Sequence, residues 1–294
     1  MSKIGFIGLG IMGHPMAGHL QAGGHQLFLV QHRSRLPPDL LEGGAVACAS
    51  AKEVAQQAEI IITMVPDTPD VEAVLFAAGG VAEGLSPGKL VIDMSSISPI
   101  DTKSFAARIG ELGCDYLDAP VSGGEVGAKG ATLTIMAGGT EAAFERARPL
   151  FERMGKNITL VGDSGAGQTC KVANQIVVAL TIEAVAEALL FSSKAGVDPG
   201  RVRQALMGGF AGSKILEVHG ERMIKRTFDP GFRIALHQKD LNLALSGARA
   251  LGISLPNTAT AQELFNACAA HDWADLDHSA LVKALEALAD HEVA

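Results

Sequence analysis

One cation in an apolar stretch is the first place to look for chemistry. Lys171 lies in Gly165-Ala-Gly-Gln-Thr-Cys-Lys171-Val-Ala-Asn174-Gln175, and the next charged residue after it is Glu183. On a helix, Asn174 at i+3 and Gln175 at i+4 share a face with this lysine. An ammonium at the head of an apolar helix is costly to bury without a purpose. Placed beside amides, it can stabilise charge growing on an oxygen and deliver a proton to it, which is general acid chemistry. Cys170 adjoins the lysine and is expected to pack rather than react.

Two glycine-rich segments offer partners for such a lysine. Gly8-Leu9-Gly10-Ile11-Met12-Gly13 follows an apolar run and precedes a helical pattern. In that setting the first glycine allows a tight turn and the second lets the backbone approach a pyrophosphate. The third lets helix and strand pack closely, and the helix N-terminus supplies N–H donors. A nicotinamide dinucleotide is therefore the expected cofactor. The residue that reads the adenosine ribose should end the second strand, near Gln31-His32-Arg33-Ser-Arg35. An acid there would favour NAD. Its absence, with two arginines close by, favours NADP. The second segment, Asp118-Ala-Pro-Val-Ser122-Gly123-Gly124, has successive glycines whose N–H groups can form an anion-binding nest. With the Ser122 hydroxyl, that nest suits a small carboxylate.

The elements that must position these groups divide the chain. Ile4–Ile7, Gln26–Val30, Ile60–Val65 and Leu90–Met94 read as strands separated by helical stretches, the pattern of βαβ units around a parallel sheet buried on both faces. Leu117–Ala119, Thr132–Ala137 and Ile158–Val161 read as further strands at the sheet edge. After Gly162, Ala/Leu-rich helical stretches take over: Thr169–Ala195, Pro199–Met207, Leu236–Ala250, Thr258–Ala270 and Ser279–Ala289. Residues 1–163 are thus expected to form an α/β Rossmann-type dinucleotide-binding domain. Residues 164–294 should form an all-α domain for substrate binding and dimerisation, with a long interdomain helix placing Lys171 at the junction, where ligand clefts are common.

Composition narrows the function classes. A net charge of −8 gives no general basic excess for nucleic acid. The apolar 172–190 stretch carries Glu183 and Glu187, which suits a buried helix better than a membrane span. Four scattered cysteines read as reduced thiols of a cytoplasmic protein. The nine histidines lack ligand spacing, so no metal site is expected.

Gly5–Gly13, Asp118–Gly124, Gly165–Asn174 and His237-Gln-Lys239-Asp240 together resemble the β-hydroxyacid dehydrogenase family, in order and spacing, over nearly the whole chain. The resemblance implies reversible NAD(P)H-dependent reduction of an aldehyde on a small carboxylate, with Lys171 and Asn174 catalytic. Ser122, Gly123 and Gly124 would hold the carboxylate, and Gln175 could bond a substrate hydroxyl. Met64, Val65, Pro66 and Ser96 would contact the cofactor. Lys239 would reach towards the nicotinamide and substrate, with Phe232 nearby. Asp240 is expected to pair with a cation and His237 to pack. A homodimer or homotetramer is also implied. A nucleotide-sensing or partner-binding module without catalysis is the alternative from another class, and the retained lysines argue against it. Two positions depart from the family pattern: His19 stands where Asn is usual, expected to affect packing alone, and Ala131 where Gly is usual.

Overall fold

In the computed structural model, which describes residues 1–31 and 35–293, the N-terminal apolar run is strand β1 (Lys3–Ile7). It feeds through the glycine turn into helix α1 (Gly13–Ala22). The chain continues as β2 (Gln26–Val30), α2 (Pro38–Glu42), β3 (Val46–Cys48), α3 (Ala51–Gln57), β4 (Ile60–Thr63), α4 (Thr68–Phe76), β5 (Leu90–Asp93), α5 (Pro99–Gly110) and β6 (Asp115–Asp118). Helix starts follow local capping chemistry: Ser50 accepts from the Glu53 N–H and Ser98 from the Asp101 N–H. Then come β7 (Val121–Ser122), α6 (Gly124–Lys129), β8 (Leu133–Gly138), α7 (Glu141–Met154) and β9 (Gly155–Gly162).

Among the described residues these strands form one nine-stranded sheet in the order β3-β2-β1-β4-β5-β6-β8-β7, with β9 pairing β8. The stretch from β3 to β6 is parallel, and β8 runs antiparallel to β6 and β7. Strand order reverses between β1 and β4, the crevice where doubly wound sheets take dinucleotides. The run Ile60-Ile61-Ile62 shows why such strands read as continuously apolar. Ile60 and Ile62 enter the core with Met16, Leu20 and Phe151, while Ile61 enters the other with Val54, Val71 and Phe105. The chain's single tyrosine, Tyr116, is buried in this second core.

The chain divides into two compact units, Met1–Lys171 and Val172–Ala294. Helix α8 (Ala166–Lys194) runs through the division. The second unit continues with α9 (Pro199–Met207), α10 (Lys214–Lys225), α11 (Ile234–Leu251), α12 (Pro256–Ala270) and, after a 3-10 turn at His278–Leu281, α13 (Val282–Ala289). Its core gathers Ile182 and Leu189 of α8 with Leu216, Met223, Leu241, Phe265 and Leu281. By length and composition α8 could cross a membrane, yet those buried residues commit it to this core. Trp273 stacks on His271, with ring centroids 4.8 Å apart and planes at 19°, and Lys283 lies 4.0 Å from its ring centroid.

Several elements differ from the sequence expectation. β3 and β7 are short strands that the pattern does not announce. Helix α10 carries six polar or charged residues and Gly220 among its twelve, which hides its apolar face. A Cβ at Gly220 would make ordinary contact with Leu216, Val185 and Arg203. The expected helix from Ser279 begins as the 3-10 turn. The division at Lys171/Val172 falls inside α8, whose first turn is bonded to the sheet.

Candidate active site

The dinucleotide turn fits its cofactor by where space is closed and where it is open. A Cβ on Gly8, which has φ +103°, would lie 2.1 Å from the Met64 carbonyl oxygen. One on Gly13 would lie 1.8 Å from the Gly8 carbonyl oxygen. A Cβ on Gly10 would meet nothing within 4 Å. The outer glycines are therefore required by packing and the middle one faces an open approach. Helix α1 has no side-chain cap and no acid in its first turn, so its N-terminus is suited to an anion. Leu9 and Met12 are half-buried against the sheet core, whereas Ile11 is exposed. Met64, Val65, Pro66 and Ser96 follow the carboxyl ends of β4, which pairs with β1, and β5, the next strand in the sheet. The Ser95 hydroxyl accepts from the Val65 N–H at 3.0 Å and ties the two loops. Gln31 is exposed at the end of β2, and His32 and Arg33 lie outside the described residues.

The second glycine segment is a turn in which Gly123 and Gly124 both have positive φ, +130° and +58°. Ser122 sits in β7 opposite Thr134, and α6 begins at Gly124. Two residues that depart from the family pattern act on this same helix. His19 does more than pack: its Nε2 lies 3.0 Å from the Ala128 oxygen and 3.1 Å from the Lys129 oxygen. The ring thereby bonds the last carbonyls of α6 to α1, the helix of the dinucleotide turn. Ala131, just past α6, is left-handed at φ +51°. That conformation favours glycine, which explains the usual residue there.

Lys171 is buried, 7% exposed, and the turn before it is fixed by side chains that sequence reasoning left without a role. Asp118, at the end of β6, accepts from the Gly165 N–H at 2.7 Å and from the Gln168 N–H at 2.8 Å. It caps α8 from a distant strand. Gln168 in turn accepts from the Ile97 N–H at 3.0 Å and donates to the Ser95 oxygen at 2.7 Å. A Cβ on Gly167 would lie 2.4 Å from the Met136 oxygen, so the helix start rests directly on sheet backbone. Burial raises the Asp118 carboxyl to about 6, against the lowering effect of the two N–H donors, and the neighbouring Asp93 carboxyl adds to the rise. Asp93 is itself raised by burial.

In the helical unit, Asn174 donates to the Gln175 side-chain oxygen at 2.8 Å, and the Gln175 amide donates to Asp240. Asp240 pairs with Lys239 at 3.1 Å. His237 is fully buried between Phe232 and Phe265, with its Nε2 3.2 Å from the Gln175 backbone oxygen. Its Nδ1 lies 2.9 Å from Nδ1 of His278, whose Nε2 lies 3.2 Å from Nε2 of His219. Burial, followed by the other two histidines, holds His278 well below the usual imidazole range. His219, Asp277 and His278 lie close enough to share a metal ion. However, Asp277 already binds Arg222 at 2.8 Å and accepts from the N–H groups of Gly231, Phe232 and Ser279 and from the Ser279 hydroxyl. A guanidinium so close opposes a divalent cation. Burial would raise the Asp277 carboxyl, but His219, His278, Ser279 and the Phe232 N–H outweigh it and hold it far below the carboxylate range.

The fold and these sites define a dinucleotide-dependent oxidoreductase. Residues 3–162 match the NAD-binding domain of 6-phosphogluconate dehydrogenase, and residues 165–285 match the NAD-binding region of NADP-dependent 3-hydroxyisobutyrate dehydrogenase. The chain belongs to the β-hydroxyacid dehydrogenase family, NAD(P)-dependent oxidoreductases acting on CH–OH groups. It is 66% identical over 295 aligned residues to 2-hydroxy-3-oxopropionate reductase of Escherichia coli K12, covering 99% of this chain and 100% of that protein. The solved Mycobacterium tuberculosis 3-hydroxyisobutyrate dehydrogenase with L-serine is 35% identical, with a TM-score of 0.89 over 97% of this chain and 99% of that one. Psf3 in complex with NADP+ and 2-OPP is 25% identical, with a TM-score of 0.85 over 96% and 99%.

Proposed function

We propose that the protein reduces tartronate semialdehyde (2-hydroxy-3-oxopropanoate) reversibly to D-glycerate, with NADPH preferred over NADH, in the breakdown of glyoxylate, glycolate or related carboxylates. The observation that carries this reading is the full-length 66% identity to the Escherichia coli reductase. The open approach at Gly10, the paired left-handed glycines and the anchored Lys171 support it from the geometry.

The glycine turn Gly8–Gly13, with Met64, Val65, Pro66, Ser96, Phe232 and Lys239, would hold the dinucleotide, which supplies a hydride to the carbonyl carbon. The end of β2, with Gln31, His32 and Arg33, would meet the adenosine ribose, and the absence of an acid there favours NADP. Ser122 and the N–H groups of Gly123 and Gly124 take the substrate carboxylate and fix the aldehyde's position. Lys171 as an ammonium stabilises the oxygen as it gains charge and gives it a proton, producing the alcohol. In the oxidative direction neutral Lys171 takes that proton back. Asn174 orients the reacting hydroxyl or the lysine. The working domains are 1–163 and 164–294, with the first turn of α8 anchored to the former.

The likeness to 3-hydroxyisobutyrate dehydrogenase supports a second reading, in which a methyl group replaces the substrate's hydroxyl. Nicotinamide absorbance followed with tartronate semialdehyde, and then with 3-hydroxyisobutyrate, separates the two. Turnover of the second compound alone would overturn the first reading. Running both coenzymes in the same assay tests the NADPH preference, which a lower Michaelis constant for NADH would sink. A cytoplasmic location fits four free cysteines. A homodimer or homotetramer is supported by the exposed Val177 and Phe191 of α8, 64% and 78% accessible, and a monomeric mass by sedimentation would exclude it.

A further inference from the structure

Gln175 is 4% exposed and gripped twice by α11. His237 and Asp240, at i and i+3 on that helix, share a face. His237 approaches the Gln175 backbone oxygen and Asp240 takes the side-chain N–H. The direction of the second bond is fixed by chemistry. An ionised carboxylate only accepts, so the NH2 end of Gln175 must face Asp240 and the oxygen must face Asn174. Lys239 lies 3.1 Å from the other carboxylate oxygen of Asp240. It follows that Asn174 must present its own NH2 group to Gln175, in agreement with the 2.8 Å bond. The remaining carbonyl oxygen of Asn174 then points away as an acceptor. One carboxylate thus sets the polarity of two amides in series.

We propose that Gln175 is a positioning residue that locks the Asn174 amide with its oxygen outward, so that Asn174, rather than Gln175, takes a hydroxyl or ammonium donor. The proposal rests on the reading of Asn174 as part of the reaction site. It replaces the idea that Gln175 itself bonds the substrate's second hydroxyl. The group recognised must be a donor, namely the alcohol O–H or a lysine ammonium. A methyl or ether oxygen in that place would gain nothing from Asn174.

The test uses Gln175→Met, which keeps length and volume but removes the side-chain bonds to Asn174 and Asp240, and Gln175→Glu, which keeps the shape. The oxidation of D-glycerate and of 3-hydroxyisobutyrate is measured for each. Gln175→Met should lower kcat about 10-fold for whichever substrates the wild type turns over, the scale of losing an oriented hydrogen bond. Coenzyme KM should be unchanged, and so should the preference between the two alcohols. Adding Asn174→Ala to it should cost little more than Asn174→Ala alone. In Gln175→Glu the new carboxyl can donate to Asp240 only when protonated. Its kcat relative to wild type should therefore recover as pH falls, a response that general loosening would not give. Fully additive losses, a loss confined to D-glycerate, or no acid recovery in Gln175→Glu would each overturn the proposal. If Asn174→Ala alone leaves turnover intact, the underlying reading of Asn174 fails independently of Gln175.

Discussion

Asp118 and Asp277 are both buried carboxylates that accept backbone N–H bonds, yet their environments push them in opposite directions. In the sheet unit, Asp118 holds the start of α8 with two N–H donors, and burial beside Asp93 raises it to about 6. In the helical unit, Asp277 is held far below the ordinary range by His219, His278 and its hydrogen bonds, and Arg222 lies 2.8 Å away. A salt-bridged carboxylate of this kind stabilises the fold it sits in. A carboxylate kept at a desolvation cost is tolerated where its geometry serves something else. The helix that Asp118 caps carries Lys171 less than two turns on.

The comparison can be broken first at Asp277. Asp277→Ala strands Arg222 and several N–H groups and should destabilise the helical unit by about 3–5 kcal/mol, read as a lower urea midpoint by circular dichroism. A shift no larger than that of a surface substitution would refute it. Next in size, Lys171→Ala should cut turnover by about 100-fold or more while leaving the urea midpoint nearly unchanged. Near-normal turnover would remove Lys171 from the mechanism and leave Asp118 with nothing to serve. Asp118→Asn comes third. An asparagine can accept only one of the two N–H bonds, and its NH2 opposes the other, so kcat should fall about 10-fold by loss of one good bond. Coenzyme KM should hold. An unchanged kcat would make Asp118 a purely structural cap.

The acid responses of the two units should also diverge. Asp118 has a raised folded pKa, so its contribution to stability is greatest in acid and declines as pH rises from the ordinary carboxylate range to about 6. His278 is kept neutral with a lowered folded pKa, so stability from it is lost as pH falls through the ordinary imidazole range, about 6.5. Asp277 adds a further loss below about 4. Between about pH 7 and pH 5, hydrogen exchange corrected for intrinsic rates should show α10–α12 losing protection while β1, β4 and β5 keep theirs. Uniform loss would erase the contrast. The smallest expected effect is at Ala131. Glycine there relieves the left-handed strain of about 1 kcal/mol but frees the unfolded chain, so Ala131→Gly should stabilise by under about 1 kcal/mol. A clear loss in thermal unfolding would contradict the strain.

What the sequence made legible was local. The run into Gly8–Gly13 and the period-two split of β4 between two cores are written within a few residues. So are the amphipathic helices after Gly162. The role of Asp118 was not legible, because its partners lie 47 and 50 residues away. The bond from Gln175 to Asp240, 65 residues on, was not legible either, because it forms only after α8 and α11 have packed. His19 reads as a packing variant until α6 brings its terminal carbonyls to it, 109 residues later. Helix α10 hides its apolar face behind charges. Periodicity reports which face of an element is buried, whereas these assignments depend on what it is buried against.

The chain has one indole and one phenol, and the fold puts them in different units. Trp273 lies face to face with His271 in the helical unit, and Tyr116 is enclosed within the sheet unit. That stacked geometry sets the surroundings of the indole, so emission from Trp273 should act as a built-in optical gauge of unfolding in the helical half. Tyr116 absorbance reads the other half, so the native protein can be followed in two colours without a label.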